Sequence, residues 1–315
     1  MTDTKSTALQ LCPLSPYLEA GLRERFDLVC WFELDEAAQK AWLAEKSGSV
    51  RAVVTGGQIG CPNTLMEALP VLGIIAINGV GFDKVDLPLA QSRGVRVTTT
   101  PGTLTEDVAD LAIGLIISLL RGIPAADAHV RAGNWPKAQR PLGHKVSGQR
   151  FGIVGLGQIG SAIARRLVAF GPVSYTGRAP RDVPYTFVSD PAALAATSDV
   201  LIVAAAANAA THHLINADVI EALGPEGYLI NVARGAVIDE AALIAALDAG
   251  QLAGAALDVF ENEPHVPDAL RASDRVVLTP HIASATVQTR IAMADLVLAN
   301  LDAFLGGNPL PSAVA

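Results

Sequence analysis

Four segments of this chain combine residue types and spacings that could do chemistry. Gly155-Leu156-Gly157-Gln158-Ile159-Gly160 follows an apolar run, Phe151–Val154, and opens a stretch, Ser161–Phe170, with apolar residues at helical spacing. A strand, a glycine turn and a helix are what a dinucleotide pyrophosphate requires. The first glycine makes the tight turn, the second admits the phosphates and the third lets the helix pack on the strand. The helix N-terminus then faces the negative charge. A bare Gly-x-Gly-x-x-Gly recurs by chance in a chain with 28 glycines, so the flanking strand and helix carry the weight. Asn231-Val232-Ala233-Arg234-Gly235 follows another apolar run, and an arginine there suits a planar carboxylate through two parallel charge-assisted hydrogen bonds. Leu257–Pro264, with Asp258 and Glu263, and Thr279–Ser284, with His281, follow two more. A carboxylate beside an imidazole favours the protonated ring, which can give its proton to a carbonyl oxygen. Taken singly, Arg234 is as readily a surface residue, Glu263 an exposed loop carboxylate and His281 a satisfied strand-end histidine. The three together are harder to set aside, because each follows a strand of the same nucleotide-binding half.

Positioning these residues takes two α/β domains. Candidate strands at Thr7–Leu11, Leu28–Trp31, Val50–Thr55, Gly73–Asn78 and Val95–Thr99 alternate with helical patterns near Tyr17–Phe26, Glu36–Glu45, Thr64–Leu69 and Lys84–Arg93. Such alternation predicts a doubly wound parallel sheet with both faces covered. A long helix follows, Leu104–Arg121, with Thr103 and Glu106 as an expected capping box. A polar stretch from Ala132 to Arg150 leads to the fingerprint strand. The second half repeats the alternation, with strands at Phe151–Val154, Val173–Tyr175, Val200–Ala204, Gly227–Val232, Gly254–Leu257 and Arg275–Leu278. Asp239 is the expected cap of a helix running to Leu247. A helical stretch from Ser284 to Leu305 is expected to return to the first domain. The reading is therefore residues 1–99 plus 284–315 as one domain and 100–283 as the dinucleotide-binding domain, with a cleft between them.

Composition narrows the function classes. Of 315 residues, 50% are hydrophobic and 17% charged, so large cores can be buried. A net charge of −8 argues against nucleic acid and against anionic membrane surfaces as partners. Cys12, Cys30 and Cys61 are few, odd in number and unpatterned, which suits a reducing compartment. The amino terminus shows no apolar signal-peptide core, and the longest apolar run is about half of the ~20 residues a membrane helix needs. A soluble, cytoplasmic protein is the expectation. Thr211-His212-His213 suggests a metal site only weakly, since adjacent histidines are expected to point to opposite sides of the backbone and no third ligand is obvious.

With these segments in view, the chain resembles the D-isomer-specific 2-hydroxyacid dehydrogenases. The resemblance rests on Gly155–Gly160, Asn231–Glu240, Leu257–Pro264 and Thr279–Thr286, joined by Asn78–Asp83, Thr98–Gly102 and Asp107–Asp110. It covers nearly the whole chain and implies a flavodoxin-like substrate domain beside a Rossmann cofactor domain. It also implies that Arg234 binds the substrate carboxylate and carbonyl, that His281 is the acid/base and that Glu263 orients and charges His281. The backbone of Val80 and Gly81 would hold the carboxylate, and Asp258 the nicotinamide carboxamide. Further cofactor contacts are implied at Val108, Leu156, Gln158, Ile159, Thr211, Val232, Ala233 and Ser284. The stretch around Trp135 forms the dimerisation arm in relatives, so a homodimer is expected. Two departures stand out: Ala205-Ala206-Ala207-Asn208 replaces the family's common Cys-Pro-Leu, and Ala283 replaces the usual glycine.

NAD-specific fingerprints place an acid at the end of the second strand, on the ribose 2′-hydroxyl. Here that position is Gly177, between Thr176 and Arg178, with Arg181 following. Two guanidinium groups would attract a 2′-phosphate, and Thr176 could donate a hydroxyl bond, so NADP(H) is the expected cofactor. The implied activity is NADPH-dependent reduction of small 2-oxo acids, of the glyoxylate/hydroxypyruvate reductase type. Bulkier 2-oxo acids remain open, as does a dinucleotide-sensing binding protein on the same fold. Phosphoglycerate dehydrogenase is disfavoured by the cofactor loop, and formate dehydrogenase needs glutamine where Glu263 stands.

Overall fold

Short apolar runs separated by capped helices build two parallel sheets. The computed structural model describes residues 5–314, which divide into two compact units. One unit runs to Leu104 and resumes at Ala285; the other is Thr105–Ser284.

In the first unit β1 (Thr7–Gln10), α1 (Pro16–Arg25), β2 (Asp27–Cys30), α2 (Glu36–Lys46), β3 (Val50–Gly56), α3 (Asn63–Ala68), β4 (Ile74–Asn78), α4 (Leu87–Ser92) and β5 (Arg96–Thr98) follow in turn. The sheet order is β2-β1-β3-β4-β5, all parallel, which is the flavodoxin-like winding. Ser15, Asp35 and Asp86 start α1, α2 and α4 by accepting the N–H three residues on. Because Asp86 caps there, the helix expected from Lys84 begins at Leu87.

The second unit opens with α5 (Thr105–Arg121) and α6 (Ile123–Arg131). Then come β6 (Phe151–Val154), α7 (Gln158–Leu167), β7 (Val173–Thr176), β8 (Thr186–Phe187), α8 (Pro191–Ala196), β9 (Val200–Val203) and α9 (Ala217–Leu223). The unit ends with β10 (Tyr228–Asn231), α10 (Glu240–Asp248), β11 (Gly254–Leu257), α11 (Asp268–Ala272) and β12 (Val276–Leu278). Its sheet order is β12-β11-β10-β9-β6-β7-β8, the Rossmann winding with one strand added beyond β11. Strands β6, β9, β10 and β11 are buried along their whole length, as strands covered on both faces must be.

The expected capping box at α5 does not form. The Thr103 hydroxyl donates instead to Thr100 O at 2.9 Å, and Glu106 pairs with Arg165 and Arg166 of α7. Two cations on the facing helix outcompete a backbone amide for that carboxylate. Asp239 does cap α10, accepting from Ala242 N at 3.0 Å.

The last helix, α12 (Val287–Leu305), belongs to the first unit. It buries Ala294, Val297, Leu301 and Phe304 against Leu18 and Leu22 of α1 and Ile74 and Ala76 of β4. Each large side chain so buried contributes roughly 1.5–3 kcal/mol. Among the described residues no single helix is long and apolar enough to cross a membrane.

Candidate active site

The order of the second sheet puts the glycine turn at its switch point, between β6 and β9, where open α/β sheets bind ligands. Gly155 has φ +95°, and a Cβ there would lie 2.6 Å from Ala205 Cα at the end of β9. A Cβ on Gly160 would lie 2.0 Å from Gly155 O. The fold itself therefore demands the first and third glycines. A Cβ on Gly157 would meet nothing within 4 Å, so the protein's own packing gives no reason for that glycine. Its missing side chain leaves the N-terminus of α7 open, as a pyrophosphate would need.

Arg234 follows β10 in a turn tied by Asn231, which is buried. The Asn231 amide donates to Arg234 O at 3.0 Å while its oxygen accepts from Ala233 N at 3.0 Å. The Arg234 guanidinium donates to Ala233 O at 2.8 Å. The next residue must be glycine: a Cβ on Gly235 would lie 1.9 Å from the Phe260 carbonyl carbon. The Arg234 turn is thereby packed directly on the loop after β11.

That loop carries Glu263. One of its carboxylate oxygens accepts from Phe260 N at 3.0 Å, and the other meets His281 Nδ1 at 2.9 Å. Burial alone would push the Glu263 carboxyl up, but the His281 bond and charge, the Phe260 N–H and the Arg234 charge together hold it below the ordinary range. Arg234, Glu263 and His281 therefore share one electrostatic site.

His281 has φ +52°, a left-handed conformation that costs a residue with a Cβ about 1–2 kcal/mol. The turn is held by Asp258, which is fully buried. The Asp258 carboxylate accepts from Thr279 Oγ1 at 2.6 Å, Ile282 N at 2.9 Å and Ala283 N at 3.0 Å, and Asp258 O accepts His281 N at 2.8 Å. Three of the roughly four acceptor positions on that carboxylate are thus taken within the protein, so holding the His281 turn is its visible task.

At the expected phosphate loop, Gly177, Arg178 and Arg181 are exposed. The Arg181 guanidinium donates to Leu156 O in the glycine turn, and its backbone N–H donates to the Tyr175 hydroxyl at 2.6 Å. Arg178 has no partner among the described residues. Thr176 is buried, with its hydroxyl donating to Ser189 O at 3.3 Å, so that proton is already committed. Thr211 accepts from Asn208 N and donates to Ala206 O, both at 2.8 Å, closing the loop after β9. Gln158 is exposed and Ile159 half-buried at the start of α7, Val108 and Val232 are buried, and Ala233 and Ser284 are half-buried. Val80 and Gly81 lie half-buried in the loop after β4 of the first unit, where Thr100 N donates to Gly79 O at 2.8 Å.

The histidine pair departs from expectation. His213 has φ +49°, and this turn brings the His212 and His213 rings together, stacked with centroids 4.0 Å apart, rather than on opposite sides. His213 Nε2 meets the Glu261 carboxylate, a second histidine–carboxylate pair that the sequence did not announce. Glu240, a buried carboxylate beneath the Arg234 turn, also went unread, since it looks like an ordinary first-turn helix acid.

Residues 113–283 match the family model described as D-isomer specific 2-hydroxyacid dehydrogenase, NAD binding domain. A hydroxyphenylpyruvate reductase of Plectranthus scutellarioides is 48% identical, covering 97% of this chain and 98% of that one. A glyoxylate/hydroxypyruvate reductase A of Arabidopsis thaliana is 46% identical over the same shares of 97% and 98%. Among solved structures, an NADPH-dependent glyoxylate/hydroxypyruvate reductase from Sinorhizobium meliloti, in complex with NADP and malonate, aligns with a TM-score of 0.90 at 41% identity. That alignment covers 99% of this chain and 97% of the other.

Proposed function

The chain belongs to the D-isomer-specific 2-hydroxyacid dehydrogenase family, and from that premise we propose that it reduces small 2-oxo acids, glyoxylate and hydroxypyruvate among them, with NADPH. The observation that carries this reading is the 2.9 Å His281–Glu263 pair under the charge of Arg234, at the ends of adjacent strands. Arg234 binds the substrate carboxylate and polarises its carbonyl, so anchoring and activation share one group. Backbone N–H groups of Val80 and Gly81 are further candidate donors to a substrate carboxylate. With Nδ1 engaged by Glu263, His281 delivers its proton from Nε2 to the oxygen that was the carbonyl. Asp258 holds the His281 turn in place for that transfer.

The residues fit a dinucleotide. The turn from Gly155 to Gly160 would hold its pyrophosphate, and Arg178 and Arg181 a 2′-phosphate, with Gly177 where an acid would repel it. Bound there, a reduced nicotinamide would supply the hydride. Oxidation of NADPH on adding glyoxylate to catalytic amounts of the protein tests the reading, and no turnover with any 2-oxo acid would sink it.

A second reading, a preference for bulkier 2-oxo acids, is favoured by the 48% identity to a hydroxyphenylpyruvate reductase. A panel of 2-oxo acids at fixed NADPH separates the two. The enzyme works as a homodimer: α6 buries no residue in its own chain, and Ile123, Val130, Trp135 and Leu142 are 47%, 53%, 70% and 96% exposed along it and the stretch after it. An apolar surface of that kind is suited to a second copy. Light scattering at the monomer mass would remove that proposal.

A further inference from the structure

The loop after β11 offers two carboxylates two residues apart, and only Glu263 is used above. Glu261 is engaged twice. Its side chain meets His213 Nε2, and its backbone N–H donates to Glu240 Oε2 at 3.4 Å. His213 is itself anchored, donating its backbone N–H to Ala236 O at 2.9 Å, one turn before Glu240. The contacts close a ring through three segments: 211–215, 235–240 and 260–263. The Arg234 turn adjoins that ring, since Gly235 is packed against Phe260 and Glu261.

We propose that Glu240, Glu261 and His213 form a clamp that positions the loop bearing Glu263, and through it His281. Glu240 is the informative member. It is 8% exposed, it makes no ion pair among the described residues, and the Glu261 charge acting on it has the same sign. Burial pushes its carboxyl up, the Glu261 N–H opposes this and the Glu261 charge adds to the rise. A buried carboxylate without a cation costs stability, and an apolar side chain of similar size would serve the core better. The space around it, between Asn231, Gly235 and Val259, is about 10 Å³, room for at most one water. What this carboxylate visibly does is hold Glu261 N, and so set the path of the chain that leads to Glu263. Glu240, Glu261 and His213 are thus positioning residues.

The proposal rests on reading Glu263 and His281 as the proton-delivering pair, so its test has an arm that does not depend on turnover. Glu240→Leu removes the acceptor and Glu240→Gln keeps one. With glyoxylate and NADPH, the leucine variant should lose about 10-fold in kcat with the KM for NADPH within about twofold, as a slightly misplaced group does. Its melting temperature should be unchanged or higher, and the glutamine variant should recover to within about threefold of the parent. In parallel, the ¹⁵N-imidazole signals of His281, assigned by His281→Ala, should move in Glu240→Leu toward their positions in Glu263→Gln. Unmoved His281 signals in a folded Glu240→Leu protein would overturn the clamp, as would kcat and melting temperature falling together with no rescue by glutamine. A parent that turns over no 2-oxo acid overturns the reaction assignment instead, and the imidazole signals still decide the clamp.

Discussion

One loop carries the carboxylates of two histidine–carboxylate pairs, and the two pairs stand in different surroundings. Glu263 meets His281, and two residues earlier Glu261 meets His213. Both histidines adopt positive φ, at +52° and +49°. The surroundings differ. His281 sits in a turn held by the buried Asp258, its partner Glu263 feels the charge of Arg234, and the His281 side chain is 23% exposed. His213 is 36% exposed, stacks on His212, and its partner's N–H is tied back to a buried acid. On the proposed reading, the same pair of groups delivers a proton in one setting and fixes a loop in the other. What separates them is the arginine and the turn, not the pair.

The largest expected effect draws that contrast directly. His281→Ala should cost about 10²- to 10⁴-fold in kcat, the usual span for a lost general acid, whereas His213→Ala should cost about 10-fold or less. Comparable losses in the two would erase the distinction. Next in size is the arginine. Arg234→Ala gives up charged hydrogen bonds worth roughly 1.5–3 kcal/mol, so about 10- to 150-fold in kcat/KM for the 2-oxo acid, with NADPH affinity little changed. A collapse of NADPH binding with the 2-oxo acid KM untouched would place Arg234 elsewhere. A smaller effect belongs to the exposed phosphate loop. NADPH should be preferred over NADH by about 10-fold, near 1.4 kcal/mol, and Arg178→Ala should erode that preference mainly through the KM for NADPH. Equal use of NADH by the parent would refute the assignment. The smallest effect is on stability. The Glu263 carboxyl lies below its ordinary 4.5, so its contribution to stability is present above that pH and lost as pH falls through the depressed value. Melting curves of the parent and Glu263→Gln should differ near neutrality and converge in strong acid.

Much of this was legible in the chain because it depends on local patterning. Apolar runs separated by helical periodicity predicted both parallel sheets, and the glycine turn, Arg234, Glu263 and His281 all stand next to strands that announce themselves. What was not legible depends on long-range partners. The capping box at Thr103 failed because Arg165 and Arg166, about sixty residues on, claim Glu106. Thr176 looked available for a phosphate, but Ser189 O takes its proton. The opposed directions expected for His212 and His213 assumed ordinary φ values, which no neighbouring residue type contradicts. Glu240 could not be found at all, since only burial distinguishes it from other acids in the first turn of a helix.

The central claim is that His281 and Glu263 act as one proton-delivering unit beside Arg234. The most direct test is the single-turnover rate of glyoxylate reduction by NADPH as a function of pH, in the parent and in Glu263→Gln. Reduction needs the protonated ring, so its rate should fall as pH rises, while oxidation of the hydroxy acid rises over the same range. Glu263→Gln withdraws the negative neighbour that meets Nδ1 at 2.9 Å, so the falling limb should move to lower pH with the fold intact. Superimposable profiles for the two proteins, with chemistry shown to be rate-limiting, would contradict the account.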